Sequence, residues 1–401
     1  MAKKEDKKQL KKGQSLYQLI GEAKITDFTF KMDETTKKSD WVWNQLNLGV
    51  DCGGGNVVYA DLMGGYGSER DNLLYVHGQK ENDKGKIIDD FGNQYTIAWE
   101  DRFDEDILKT IGDQCFITIG LEKDNKEKTF PKRFLSAYDA IEYVQEHLKD
   151  GMVINVKGGF VFKTYNDSVT ATKEIKSIFL SKVDDASKYK ATFTQSILLD
   201  KDSVGKLDKE KAVYPIYARV IDYTKEYNGK LVKQNITFKK TFELEVDKIK
   251  PENTKKFIDK VLKVKKDITE VVIDGDIVEG QSLVNITEAD IPEDIMELIE
   301  MGAYTLDEAI NKLAVGGSKE KKMVIRKPAI KMVGEEDNKK PVILKVEGQY
   351  KEEDFFFDFM IEEKEEEDTE TSDTEDSEDD NEENATDESE DTSWMDALDE
   401  E

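Results

Sequence analysis

Apolar and polar residues alternate with period two through most of this chain. In SDWVWNQLNLGV, residues 39–50, Val42, Leu46, Leu48 and Val50 share one parity; Trp41, Trp43, Gln45 and Asn47 share the other. A half-buried strand sends the first set to the core and the second to solvent. The same pattern predicts strands over 57–63, 86–99, 115–121, 152–165 and 171–181. One helix interrupts them. Ala140, Ile141, Val144 and Leu148 recur at helical spacing over 137–148, and Lys149-Asp150-Gly151 stops it. In the strand that follows, Met152, Ile154, Val156, Phe160 and Phe162 form the core set, against Asn155, Lys157, Lys163 and Tyr165, with a bend expected at Gly158-Gly159.

The second half repeats the plan. Ile216, Ala218 and Val220 oppose Tyr217, Arg219, Ile221 and Tyr223; Ile236, Phe238, Phe242, Leu244 and Val246 oppose Thr237, Lys239, Thr241, Glu243 and Glu245. A helix opened by Pro251 and a strand, TEVVIDGDIVEG, come next. Three strands, one helix and two closing strands make a five-stranded Greek-key barrel of OB type. The expected fold is therefore mainly β with some α: tandem OB-like Greek-key barrels, the first over 39–182 and the second over 183–286. Residues 1–38 are expected as a basic N-terminal arm, since the only apolar pattern there is Leu16, Leu19, Ile20 and Ile25. Residues 287–362 are expected to hold a helical segment at about 288–314 and closing strands.

Charge changes this picture at one end. Residues 361–401 carry 23 acidic residues and one lysine, a net of −22 out of −29 for all 401 residues. The segment 363–401 has too few apolar residues to offset chain entropy and is expected to be a disordered acidic tail. The body is nearly balanced, so the low pI says little about what it binds. Two cysteines and two histidines offer no zinc spacing or disulfide framework and fit a reducing cytoplasm. No apolar run approaches the roughly 18 residues of a membrane span, and no apolar stretch follows the lysine-rich start to make it a secretory signal.

No catalytic constellation stands out. The glycine run VDCGGGNVVYADLMGGYGSE lacks the spacing of a phosphate loop and is read as a turn at Gly53-Gly54-Gly55 and a flexible loop at Gly64–Gly67. The aromatic residues on polar faces are more informative. Barrels of this type bind single strands by stacking bases on aromatics while lysines and arginines follow the backbone. Trp41, Trp43, Tyr59, Lys157, Lys163 and Tyr165 have that composition in the first unit, and Tyr217, Arg219 and Tyr223 in the second. Packing against a helix or a neighbouring segment is the competing use of such aromatics. Residues 248–266 add a lysine-rich helix of net +6, a composition equally suited to plain solvated surface.

The tail ends DTSWMDALDEE, where Trp394, Met395 and Leu398 would share one side of a short induced helix, an anchor for a protein partner. With the OB-like units, the missing active site, the segment IPEDIMELIEMGAYTLDEAINKLAVGGS and this acidic ending, the chain resembles single-stranded DNA-binding proteins, particularly those of large bacteriophages of Gram-positive hosts. The resemblance implies sequence-tolerant binding of single-stranded DNA during phage replication and recombination, in the bacterial host cytoplasm. It also implies recruitment of replication or recombination proteins by the tail, and no catalysis, cofactor, metal or membrane. The alternative is an acidic-tailed phage interaction or structural protein that does not bind DNA. A nucleotide-processing enzyme using the glycine run is a third reading.

Overall fold

The computed structural model describes residues 9–357, apart from 38, 124–127, 166–167, 184, 266, 334–338 and all but residues 296, 299 and 301 of the segment 280–320. Apart from residues 296, 299 and 301, the expected helices at 288–314 lie outside the described residues, as do the tail residues Trp394, Met395 and Leu398.

Strands dominate. In chain order they begin with β1 (Ser15–Lys24), β2 (Phe30–Thr35), β3 (Trp41–Asp51), β4 (Val57–Gly67), β5 (Leu73–Glu81) and β6 (Ile87–Ala98). The short helix α1 (Glu105–Leu108), β7 (Ile117–Lys123), β8 (Thr129–Phe134) and α2 (Ala137–His147) lead to β9 (Val153–Tyr165) and β10 (Ser168–Leu180). The remainder comprises β11 (Lys190–Leu199), β12 (Val213–Tyr227), β13 (Lys230–Glu245), α3 (Pro251–Phe257), β14 (Thr269–Val278), β15 (Lys322–Pro328), β16 (Ile330–Val333), β17 (Lys340–Ile343) and β18 (Lys345–Glu347).

Five strands close into a barrel. β1 pairs antiparallel with β3, β3 with β4, β10 with β9 and β9 with β1, while β4 and β10 meet in parallel at Asp61 and Glu174. Three strands, then α2, then two strands make up the ring, with β2 and β5–β8 inserted between its members. The first strand is Ser15–Lys24, so residues expected as an arm are a central element. The reason is legible afterwards. Its apolar core set is Tyr17, Leu19 and Ala23, with buried Ser15 in the same parity, and Gly21, of that parity too, lies so close to β3 that an added Cβ would come 2.0 Å from the Asp51 carbonyl oxygen. A small residue at that crossing removes the apolar signal that alternation depends on.

Glycines also explain a second difference. Gly64–Gly67, expected as a flexible loop, is the end of β4. A Cβ on Gly64 would stand 2.7 Å from that of Ala137, so the strand is bare where α2 presses on it. Gly53, Gly54 and Gly55 all take positive φ and form the β3–β4 turn, the left-handed conformations for which glycine is suited. Helix α2 starts at the Ser136 cap, whose hydroxyl accepts from the Tyr138 N–H, and buries Ala140, Ile141 and Val144.

The same sequence of pairings recurs downstream. β11 meets β12 antiparallel, β12 meets β13, β13 and β15 run parallel at Glu243 and Val324, β15 pairs with β14, and β14 returns to β11. The fifth member, β15, lies beyond residue 286, outside the range expected for the second unit. The two sets of strands join edge to edge through β1 and β11, and their cores are continuous. Phe160 and Phe162, buried as expected, run through ring contacts of 6.2 and 6.0 Å to Phe238. The Phe162 N–H donates to buried Asp222 on β12, and the Lys173 ammonium on β10 meets Glu279 beyond β14 at 2.6 Å.

Candidate functional site

The outer face of β3 and β4 carries three of the expected residues, Trp41, Trp43 and Tyr59. Antiparallel pairing sets Trp41 opposite Gly67, Trp43 opposite Gly65, Gln45 opposite Met63, Asn47 opposite Asp61 and Gly49 opposite Tyr59. Cross-strand partners project to the same side, so one surface holds Trp41, Trp43, Met63 and Tyr59. Tyr59 is 49% exposed and Met63 55%. The two tryptophans are half-buried rather than open. Glycines face both of them across the ladder, which leaves no β4 side chain opposite either indole.

What half-covers Trp43 is β2. It pairs with the first half of β3, which β1 does not reach, with Glu34 opposite Trp43 and Lys31 opposite Gln45. The Lys31 ammonium stands 5.7 Å from the Trp43 ring centre, a cation–π distance. The intervening Asp33 has a positive φ of 51°, unusual for a residue with a side chain. Two residues hold it there. The Asn44 side-chain Oδ1 accepts the Asp33 N–H at 2.8 Å and the Tyr138 hydroxyl donates to the Asp33 carboxylate, while the Asn44 side-chain amide donates to the Tyr138 backbone carbonyl at 3.2 Å and ties the two together. Asn44 and most of Tyr138 are buried, and burial and the adjoining Asp33 carboxylate both push the Tyr138 phenol up. The bulge therefore fixes where Lys31 lies over Trp43.

Sequence reasoning missed Lys31 and Met63. Lys31 sat in the segment taken for an arm, although FKMDE alternates. Met63 shares the parity of Tyr59 and Asp61 at the end of the strand expected over 57–63, but as an aliphatic side chain it carries no stacking or cationic signal.

The other expected residues are dispersed. Tyr59 lies six residues along the ladder from the Trp43 position, roughly 20 Å at strand rise. Lys157 is half-buried on β9, opposite Gln18 of β1. Lys163 is exposed near the β9–β10 turn, and the backbone of Tyr165 pairs with Ser168 there; the Tyr165 side chain lies outside the described residues. The face is not uniformly cationic. Burial pushes the Asp61 carboxyl up, against the pull of Lys173.

On the second set of strands, Tyr217 is 54% exposed. Arg219 and Tyr223 are half-buried, and the two ends of the described chain lie across that side of β12. Leu10, Tyr350 and Phe355 are buried together with Leu198 and Ile221. The Arg219 guanidinium is 5.6 Å from the Phe355 ring centre. Ile221, expected on the polar face, is buried by this cover.

Elsewhere, His77 bridges Asp89 at 2.7 Å and the Cys115 sulfur at 3.2 Å. Burial pushes both the Cys115 and Cys52 thiols up, Cys52 to about 12, which disfavours a reactive thiolate at either. Among the described residues no group of three or more His, Cys, Asp or Glu side chains is arranged to hold a metal ion, and no helix is long and apolar enough to cross a membrane.

No family model matches the chain, and no curated protein matches it. Among solved structures it is similar to a deletion mutant of the single-stranded DNA binding protein from Thermus aquaticus, at 8% identity and a TM-score of 0.28, over 67% of this chain and 87% of that one.

Proposed function

We propose that this protein binds single-stranded DNA without sequence preference on the outer face of β3 and β4. The observation that carries the reading is Trp41 and Trp43, half-exposed on the second strand of a five-stranded Greek-key barrel, with Lys31 held over Trp43. In OB-type barrels the second and third strands and the loops after strands one and four are the surface that takes oligonucleotides. Here those are β3, β4, the excursion carrying β2 and the β9–β10 turn beside Lys163. Indole and phenol faces stack bases of any identity, and each stacked base contributes ~1–3 kcal/mol. The proposal extends to the downstream strands as a second OB-like unit in tandem. It also extends to a role in phage DNA replication and recombination in the host cytoplasm, without catalysis, in which the acidic tail recruits partner proteins.

The test is titration of the full chain with dT oligonucleotides, read by quenching of tryptophan fluorescence. Saturable quenching that weakens linearly with log salt is the expected result, because phosphate contacts release counterions. Absence of binding at low salt would overturn the reading. One observation favours the alternative of a protein that acts only through protein partners. The hairpin β16–β17 exposes Ile330 and Met332 beside Lys331 and Lys340, and such apolar surface is common at protein interfaces. The same titration separates the two.

A further inference from the structure

The two sets of strands differ in what lies on the outer side of their second strand. On β3 that side is half open. On β12 it is occupied by the chain itself. After β18 pairs with the start of β14, the chain turns through Gly348 and crosses β12 as YKEEDFFF, residues 350–357. Tyr350 and Phe355 are buried against Leu198 and Ile221, and the Tyr350 hydroxyl accepts the Lys11 N–H at 3.2 Å. Glu352, Glu353 and Asp354 form a single helical turn whose acidic side chains are largely solvated, and Phe355 follows them directly over Arg219.

This segment has the chemistry of what the face is built to take. A guanidinium plane stacks on a nucleobase as it does on a phenyl ring, and three consecutive carboxylates present negative charge at short intervals, as a phosphate chain does. The surface of Leu198 on β11 with Ile221 and Arg219 on β12, and half-exposed Tyr217 at its margin, is an apolar and cationic strip along the strand equivalent to β3 and its neighbour. We propose that residues 350–357 are an internal stand-in for single-stranded nucleic acid, and that β12 carries a second binding surface which the strand reaches by displacing Phe355 from Arg219. The inference rests on the reading of the β3–β4 face as a single-strand site. It adds that the protein has two footprints, one open and one self-occupied.

Titration of the full chain with poly(dT) reads both affinity and the number of nucleotides covered. Phe355→Ala is expected to enlarge the footprint and to tighten binding by roughly tenfold, the size of one stacking contact no longer competed for. Arg219→Ala combined with Phe355→Ala is expected to remove the gain, a coupling that mere loosening of the fold does not produce. Because Phe355→Ala also opens a small buried cluster, the pair Glu352→Gln and Glu353→Gln serves as a second variant. Both side chains are exposed, so the cluster stays intact, and the gain should appear at low salt and fade at high salt. An unchanged footprint and affinity in all variants of a protein that does bind poly(dT) would overturn the stand-in while leaving the β3–β4 site untouched. A gain that survives Arg219→Ala overturns it too. If neither the parent nor any variant binds, the functional reading itself fails, and this inference with it.

Discussion

Single side chains decide whether β3 is a binding strand or a covered one. Trp41→Ala combined with Trp43→Ala is expected to weaken oligonucleotide affinity by at least about fivefold per lost stack. Both indoles are half-buried, so some melting temperature is lost as well; the variant lacks the two reporting indoles, and calorimetric titration beside a thermal melt separates the effects. A lower melting temperature with unchanged affinity of the folded fraction makes the tryptophans packing residues. A different residue tests the core. The Tyr17 hydroxyl is buried with no hydrogen-bond partner, and Gly158 lies against it. Tyr17→Phe removes a desolvated group that nothing satisfies, so stability is expected to hold or rise by about 1 kcal/mol in urea unfolding. The placement of Trp41, Trp43 and Tyr59 on one side was legible in the sequence because parity is local. The placement of Lys31 was not, since the left-handed Asp33 that aims it depends on Tyr138, 105 residues away.

At the level of elements, alternation located β3, β4, β6, β7, β9, β10, β12, β13 and β14, and helical spacing located α2. Strands whose parity is interrupted by small or charged residues escaped it: β1, with Gly21 at a crossing, and β8, TFPKRF, with exposed Phe130 and a proline. Patterning reads what a side chain does to its neighbours along the chain, whereas these strands are defined by the backbone that comes near them. Gly64 puts this to the test. Valine there has to fit into a 2.7 Å gap to Ala137, so α2 must move off β4 or the strand must bend. The expected loss is on the order of 1–3 kcal/mol in chemical denaturation, the usual effect of overpacking, with a matching loss of affinity because β4 carries Tyr59 and Met63. A variant as stable as the parent would mean that α2 rides loosely on the barrel.

Over the whole molecule, the joint between the two sets of strands and the net charge each make a prediction. Lys173 and Glu279 are both largely buried and pair at 2.6 Å. Lys173→Ala leaves a carboxylate there without its partner and is expected to cost about 3–5 kcal/mol, whereas replacing both with apolar residues costs much less. Urea unfolding of the single and double variants measures the difference. Deleting residues 363–401 removes about twenty negative charges that repel or compete with phosphates. Affinity for single strands is expected to rise severalfold at low salt, where the Debye length is long, and to converge with that of the full chain as the length falls to ~10 Å near 0.1 M and below that at higher salt. Equal affinities at low salt would show that the tail does not compete.

The position of β1 has a consequence in time. The strand precedes its neighbours β3, β9 and β11 in the chain, and Ser15 pairs with Gln195, 180 residues later. Two of its three ladders, those with β9 and β11, cannot form until these much later strands have been made, so the barrel closes late and over a long loop. A high contact order of this kind slows folding and leaves an apolar edge exposed meanwhile. Chains truncated before residue 195 should therefore aggregate rather than populate a native first barrel, even though they contain all five of its strands.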